Sequence, residues 1–198
     1  MKGLPIQMMT MDLDNYTPAR IERTTIADHA NGVPGVPPPR NNEHFLIGPR
    51  AVSSSSTSTT FREMGFGPDS ELVKIITPLK EGKVQPWILR IGRNIVNIGL
   101  RIDAPIISGL HAILYGDAGS TYILDPGSTN GTYVNGLKIE VQTPRQLLLS
   151  ATIRFGPEKI PSPLDGGQSL ANFPWAYHDS AAFKLQLPKY SGSGNKTG

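Results

Sequence analysis

HAILYGDAGSTYILDPGSTNGTYVNG, residues 111 to 136, decides the architecture. HAILYG (111–116) and STYILD (120–125) are short apolar, β-branched and aromatic runs on either side of the turn-former triplet DAG. They predict a hairpin with strands of about five residues. GTYVNG followed by LKIEVQ predicts another tight turn at Asn135-Gly136, a dipeptide that readily takes φ > 0. Outward from this stretch the texture continues. LVKIITPL (72–79) is a β-branched run closed by Pro78, VQPWILRIG (84–92) is a second, and QLLLSATIRFG (146–156) holds two more short strands. No stretch carries an amphipathic helix of three turns. Many short strands with turns every eight to twelve residues or so predict an all-β antiparallel sandwich.

The ends read differently. Residues 1–69 have no sustained period and include GVPGVPPPR (32–40) and SSSSTSTT (53–60), which cannot bury enough apolar surface to offset their ordering entropy. They are expected to form a disordered or loosely docked arm, within which HFLIG (44–48) and FREMGF (61–66) can pack on the domain. The sandwich is expected over 70–188. Its last strand is AAFKLQL (181–187), pairing with the edge that LVKIITPL would otherwise leave open. Residues 157–181 then form a long insertion, with NFPWAY (172–177) folded back into a groove, and 189–198 a flexible tail.

Composition narrows the function. The 198 residues contain no cysteine, which excludes disulfides, thiolate zinc sites and a cysteine nucleophile. Net charge is +3 with the basic residues scattered, so specific nucleic-acid binding is not expected. No apolar run approaches the roughly 20 residues that span a bilayer, and the N-terminus is a poor signal peptide. The expected setting is intracellular, cytoplasmic or nuclear, with no membrane contact. His29, His44, His111 and His178 lack ligand spacing, so no metal is expected, and no cofactor either.

The loops of the predicted sandwich carry Gly92-Arg93, then Ser108 with His111 three further on, then Ser128-Thr129-Asn130-Gly131-Thr132, then Asn135-Gly136. Together they offer a guanidinium, hydroxyls, side-chain amides and glycine-freed backbone N–H groups, with acids only at the edges, Asp103 and Asp125. That inventory suits a dianionic tetrahedral group. Ser108-x-x-His111 has no apparent orienting acid or oxyanion motif, so no catalytic residue is assigned and no enzyme expected.

In this order and spacing, Gly-Arg, Ser-x-x-His, Ser-x-Asn-Gly-Thr and Asn-Gly resemble the forkhead-associated (FHA) domain. The motif core covers residues 91–136, and the strand pattern extends the resemblance to roughly 71–188. It implies an eleven-stranded β-sandwich that binds phosphothreonine peptides at one end. By matched position, Arg93 and Ser108 hold the phosphate, Gly109 offers its N–H, and Thr129 and Asn130 contact the peptide from the facing loop. His111 braces the loops bearing Ser108 and Thr129, with Gly92, Gly131 and Asn135 in support. Gly109 stands where the family commonly has a polar or basic residue. The loop before Ser108 is APII, without an arginine, so Ile106 is expected to favour an aliphatic residue three after the phosphothreonine.

The function so implied is an adaptor that binds a phosphothreonine-containing protein. The alternative is an assembly protein using the same sandwich for phosphorylation-independent contacts. The arm also offers a self-ligand. Thr10 is followed at that distance by Leu13 and Thr25 by Asp28, so self-association through an arm phosphorylated at Thr10 is expected over one phosphorylated at Thr25.

Overall fold

The computed structural model describes residues 13–25, 28–29, 40–48, 70–95, 99–117, 119–148, 151–156 and 175–179. Among the described residues a 3-10 turn, Leu13–Asn15, precedes fifteen strands. These are β1 Thr17–Pro18, β2 Arg20–Thr25, β3 Glu43–Gly48, β4 Glu71–Ile76, β5 Leu79–Lys80, β6 Lys83–Val84, β7 Trp87–Gly92 and β8 Leu100–Arg101. They continue with β9 Ala112–Asp117, β10 Ser120–Leu124, β11 Thr132–Val134, β12 Leu137–Lys138, β13 Arg145–Leu147, β14 Thr152–Phe155 and β15 Trp175–Asp179.

Two sheets face each other. The first runs β1-β7-β9-β10-β13, with β8 also on β7; the second runs β12-β11-β14-β15-β3-β4-β2. β5 and β6 pair as a separate ribbon. The period-2 alternation of each strand fills the space between the sheets. Trp87, Leu89 and Ile91 of β7 meet Leu46, Val73, Ile75, Ile153 and Phe155 of the other sheet in one buried cluster. The two indoles sit on glycines. A Cβ on Gly116 would stand 2.0 Å from Trp87 Nε1, and one on Gly48 would stand 2.4 Å from the Trp175 ring. The hairpins expected at 117–119 and at Asn135-Gly136 form, the second with φ of 50° and 81° at its two residues.

The arm expected over 1–69 is corrected where the structure describes it. β1 pairs in parallel with β7, Thr17 opposite Trp87, and β2 and β3 flank β4 on its two sides. Phe45, Leu46 and Ile47 are fully buried. The reason for docking lies on the outer face of the first sheet, where Ile88, Ile113 and Tyr115 form an apolar patch that Leu13 and Tyr16 cover. Tyr16 meets Tyr115 edge-on with centroids 5.7 Å apart. β2, with Ile21 as its one aliphatic residue, is an edge strand held by its ladder and by the pairs Arg23–Glu71 and Lys74–Glu22. Such charged edges carry little periodic signal.

The end of the chain is corrected too. The strand after the long Pro- and Gly-rich stretch is β15, WAYHD, inside the segment read as an insertion. Trp175 and Tyr177 alternate, so both enter the core. β15 pairs with β14 and β3 rather than with LVKIITPL, because β3 occupies the position beside β4 that was assigned to the last strand. AAFKLQL and the tail lie outside the described residues, as do 157–174.

A chain truncated to begin at residue 70 therefore lacks a central strand. Three buried apolar side chains are worth about 1.5–3 kcal/mol each, against a typical total stability of about 5–15 kcal/mol. The truncated chain is expected to show no cooperative thermal transition by circular dichroism, whereas one beginning at Leu13 retains it.

Candidate functional site

The loops leaving β7, entering β9 and joining β10 to β11 meet at one end of the sandwich. Backbone bonds lace the first two together: Arg93 N–H donates to Ser108 O (2.9 Å) and Asn94 N–H to Gly109 O (3.1 Å). Gly92 permits this closeness, since a Cβ there would stand 2.2 Å from Gly109 O. Across the site, Thr129 N–H donates to Ser108 Oγ (3.0 Å), and Ser108 Oγ lies 3.5 Å from Thr129 Oγ1. Asn130 Nδ2 donates to Ile106 O (2.7 Å), holding the loop that precedes Ser108 against the loop that bears Asn130. Gly156 supports the same corner from below: its N–H donates to Gly131 O (2.8 Å), and Ile106 Cδ1 lies 3.0 Å from where its Cβ would be.

His111 is fully buried beneath these loops. Its Nδ1 accepts from Ser108 N–H (3.0 Å). That assigns the ring proton to Nε2, which donates to Gly131 O (3.2 Å). The edge of the ring meets Phe155, centroids 5.6 Å apart. Burial pushes the imidazole pKa down, while the Gly131 carbonyl and the Asp125 charge only partly offset it. A second ring proton would face the Ser108 N–H, so the geometry and the burial both favour the neutral form. The ring touches the backbone of Ser108, not its hydroxyl, and the two are not arranged as nucleophile and base.

The sequence reading missed Asp125. Its carboxylate is fully buried and accepts from Gly127 N–H (2.9 Å), Ser128 N–H (2.6 Å), Ser128 Oγ (2.7 Å) and Thr132 N–H (2.8 Å). Ser128 Oγ in turn accepts from Gly131 N–H (3.0 Å). Burial alone would raise this carboxyl's pKa, but the bonds from Ser128, Gly127 and Thr132 outweigh it and hold the value below the ordinary range. The signal was present: Asp-Pro-Gly-Ser is a side-chain-capped turn, in which an Asp accepts from the N–H two and three residues on. Asn94 was also missed, and its Nδ2 lies 3.1 Å from where a Cβ on Gly109 would stand.

The structure thus brings Gly92, Arg93, Ile106, Ser108, Gly109, His111, Thr129, Asn130 and Gly131 to one end. Asn135 is elsewhere: it turns the β11–β12 hairpin and accepts from Thr152 N–H (2.8 Å). Arg93 is exposed, and its guanidinium makes no hydrogen bond or ion pair among the described residues. Asp125 is engaged by its four donors, and Asp103 pairs at the surface with Arg101 (3.2 Å). This end of the sandwich thus carries the exposed Arg93, with no side-chain partner among the described residues, and the Ser108 and Thr129 hydroxyls, residue types suited to holding an anion.

Residues 89–156 match the family model of the FHA domain. Curated proteins give no match to this chain. Several solved structures are similar at low identity. The FHA domain of CT664 protein from Chlamydia trachomatis is 19% identical, covering 69% of this chain and 97% of its own, at TM-score 0.41. Full-length yeast Pml1p is 12% identical over 69% of this chain and 80% of its own, at 0.42. The MEK1 FHA domain in complex with a HOP1 phosphothreonine peptide is 17% identical over 71% and 98%, at 0.40.

Removing the His111 ring leaves Ser108 N–H and Gly131 O without their partner, and His111→Ala is expected to cost about 1–3 kcal/mol of stability. The lowered pKa fixes the sign of the pH effect. The neutral ring's contribution is complete above the unfolded histidine value of about 6.5 and is lost as pH falls below it toward the folded value. The gap between the parent protein and His111→Ala should therefore narrow from about pH 7.5 to about pH 5.5 in urea titrations.

Asp125→Asn sets an amide NH2 among four donors and is expected to cost at least about 2 kcal/mol at neutral pH. Asp125 stabilises above its unfolded value and loses that contribution as pH falls through its depressed folded value. The same titrations at acidic pH should show the Asp125→Asn gap closing.

Proposed function

We propose that the FHA domain this chain carries over residues 89–156 is a phosphothreonine-reading adaptor module without catalytic activity. The observation that carries this reading is Arg93, exposed and with no side-chain hydrogen bond or ion pair among the described residues, on a loop whose backbone is bonded to Ser108, the residue whose hydroxyl meets Thr129. A phosphothreonine brings about −1.5 to −2 charge and three acceptor oxygens. Arg93 and Ser108 bind the phosphate with the Gly109 N–H. Thr129 and Asn130 contact the peptide, and Asn130, already anchored on Ile106 O, is held ready for it. Ile106 supplies an aliphatic wall for the residue three after the phosphothreonine. A module of this kind works where protein kinases act, inside the cell in cytoplasm or nucleus.

The arm supplies a self-ligand on the same reading, with one change of geometry. Thr25 is buried, and its Oγ1 accepts from Asp28 N–H (3.0 Å), so it is not available in the folded protein. Thr10 lies outside the described residues, but Thr17 is pinned opposite Trp87, at the opposite end of β7 from Arg93. Seven residues reach at most about 23–25 Å when fully extended. The six residue steps from Trp87 to Arg93 already cover about 20 Å. Leu13 is also engaged in the outer patch of the first sheet. A Thr10 phosphate is therefore expected to engage a second copy rather than its own site.

A hydrogen bond to a charged group is worth roughly 1.5–3 kcal/mol, and about 1.4 kcal/mol is tenfold in affinity. Arg93→Ala is expected to weaken binding of a phosphothreonine peptide at least about tenfold in calorimetry on the full chain. Equal binding of phosphorylated and unphosphorylated peptide would refute the reading and favour constitutive assembly contacts. Between the protein's own sequences, the peptide around phosphorylated Thr10 should bind more tightly than that around phosphorylated Thr25. The reverse order would remove the role given to Ile106.

A further inference from the structure

Lys138 lies on β12, across from Tyr133 of β11. Its stem crosses the notch that Gly131 leaves: Cε stands 2.5 Å and Nζ 3.2 Å from where a Cβ on Gly131 would be. Gly131 takes φ of 79°, and it directly follows Asn130. The ammonium is thereby held against the back of the loop that bears Thr129 and Asn130. Among the described residues no carboxylate lies within ion-pair distance of it.

A groove of about 250 Å³ begins at this lysine. Val134 and Ile139 are among the apolar residues that line it, and Lys138, Glu140 and Arg145 bring its charges. Arg145, like Lys138, makes no ion pair among the described residues. Two unpaired cations against one carboxylate leave the groove net positive. Leu137 at its rim is 69% exposed. A lining of mixed apolar and polar side chains with net positive charge, beginning beside the Asn130 loop, fits an extended segment with an acidic side chain.

We propose that this groove receives the part of the ligand that flanks the phosphothreonine, and that Lys138 pairs there with a carboxylate of the same peptide. The inference rests on the phosphothreonine reading and adds to it a second selectivity residue beside Ile106. Gly131 matters to it physically. Only a glycine leaves room for the stem to lie where it does, since a Cβ at Gly131 would meet Lys138 Cε at 2.5 Å. An exposed ion pair remains a modest contribution, about threefold to fivefold in affinity.

The test uses the full chain and a labelled phosphothreonine peptide with alanine at every flanking position except leucine three after the phosphothreonine. Each alanine is replaced in turn by glutamate, and binding is measured by fluorescence anisotropy. Glutamate at one position is expected to tighten binding about threefold to fivefold. That gain should vanish in Lys138→Met and return in Lys138→Arg, while the parent peptide binds all three proteins alike. Thermal melting checks that Lys138→Met keeps the fold, and Lys138→Gln serves in its place if it does not. A glutamate gain that survives both Lys138 variants, or no gain at any position, overturns the inference. Parent peptide bound no better than its unphosphorylated form defeats the function reading itself, and this inference with it. Phosphate-dependent binding with no Lys138-dependent position defeats this inference alone.

Discussion

The site depends on one buried charge. Asp125 is a carboxylate with no exposed surface, and it is tolerable there only because four donors from three residues close around it. Those donors are the backbone and hydroxyl groups of the segment from Gly127 to Thr132, so satisfying the charge and folding the loop are the same event. Ser128 extends the arrangement by accepting from Gly131 N–H, which fixes the left-handed glycine after Asn130. Thr129 and Asn130 do not bond to Asp125; they reach across to the neighbouring loop, Thr129 to Ser108 and Asn130 to Ile106 O.

His111 repeats this logic with a neutral group. It joins the second loop to the third by one accepted and one donated bond, both to backbone, and only one tautomer does both. The loops are thus held from beneath in one arrangement. The electrostatics follow from the same placement. Asp125 is turned inward and spent on N–H and O–H groups, while Arg93 is exposed with no side-chain hydrogen bond or ion pair among the described residues.

The sandwich and its binding end were legible because they are encoded locally. The hairpin at 117–119, the Asn135-Gly136 turn and the four short motifs each depend on neighbours in sequence. What escaped is non-local. β2 is a strand because β4 offers it a ladder and Glu71 a partner for Arg23, neither visible in RIERTT itself. β1 is two residues long and owes its place to the apolar patch above it. WAYHD did alternate, but its setting in a Pro- and Gly-rich stretch outweighed that pattern, and its pairing with HFLIG joins residues more than a hundred positions apart. Asp125 was legible in principle. An acid beside Pro-Gly reads first as a turn residue, and only burial shows that its charge organises the loop.

The glycine notches under the indoles give the molecule an optical property. The chain has two tryptophans, and each sheet holds one. Trp175 Nε1 is buried with no hydrogen-bond partner, an apolar setting that favours short-wavelength emission. Trp87 lies 5.1 Å, centroid to centroid, from the His44 imidazole, a polar ring against its face. The two sheets therefore carry distinguishable native fluorophores. Parting of the sandwich, or loosening of one sheet ahead of the other, is written into the protein's own emission spectrum without any label.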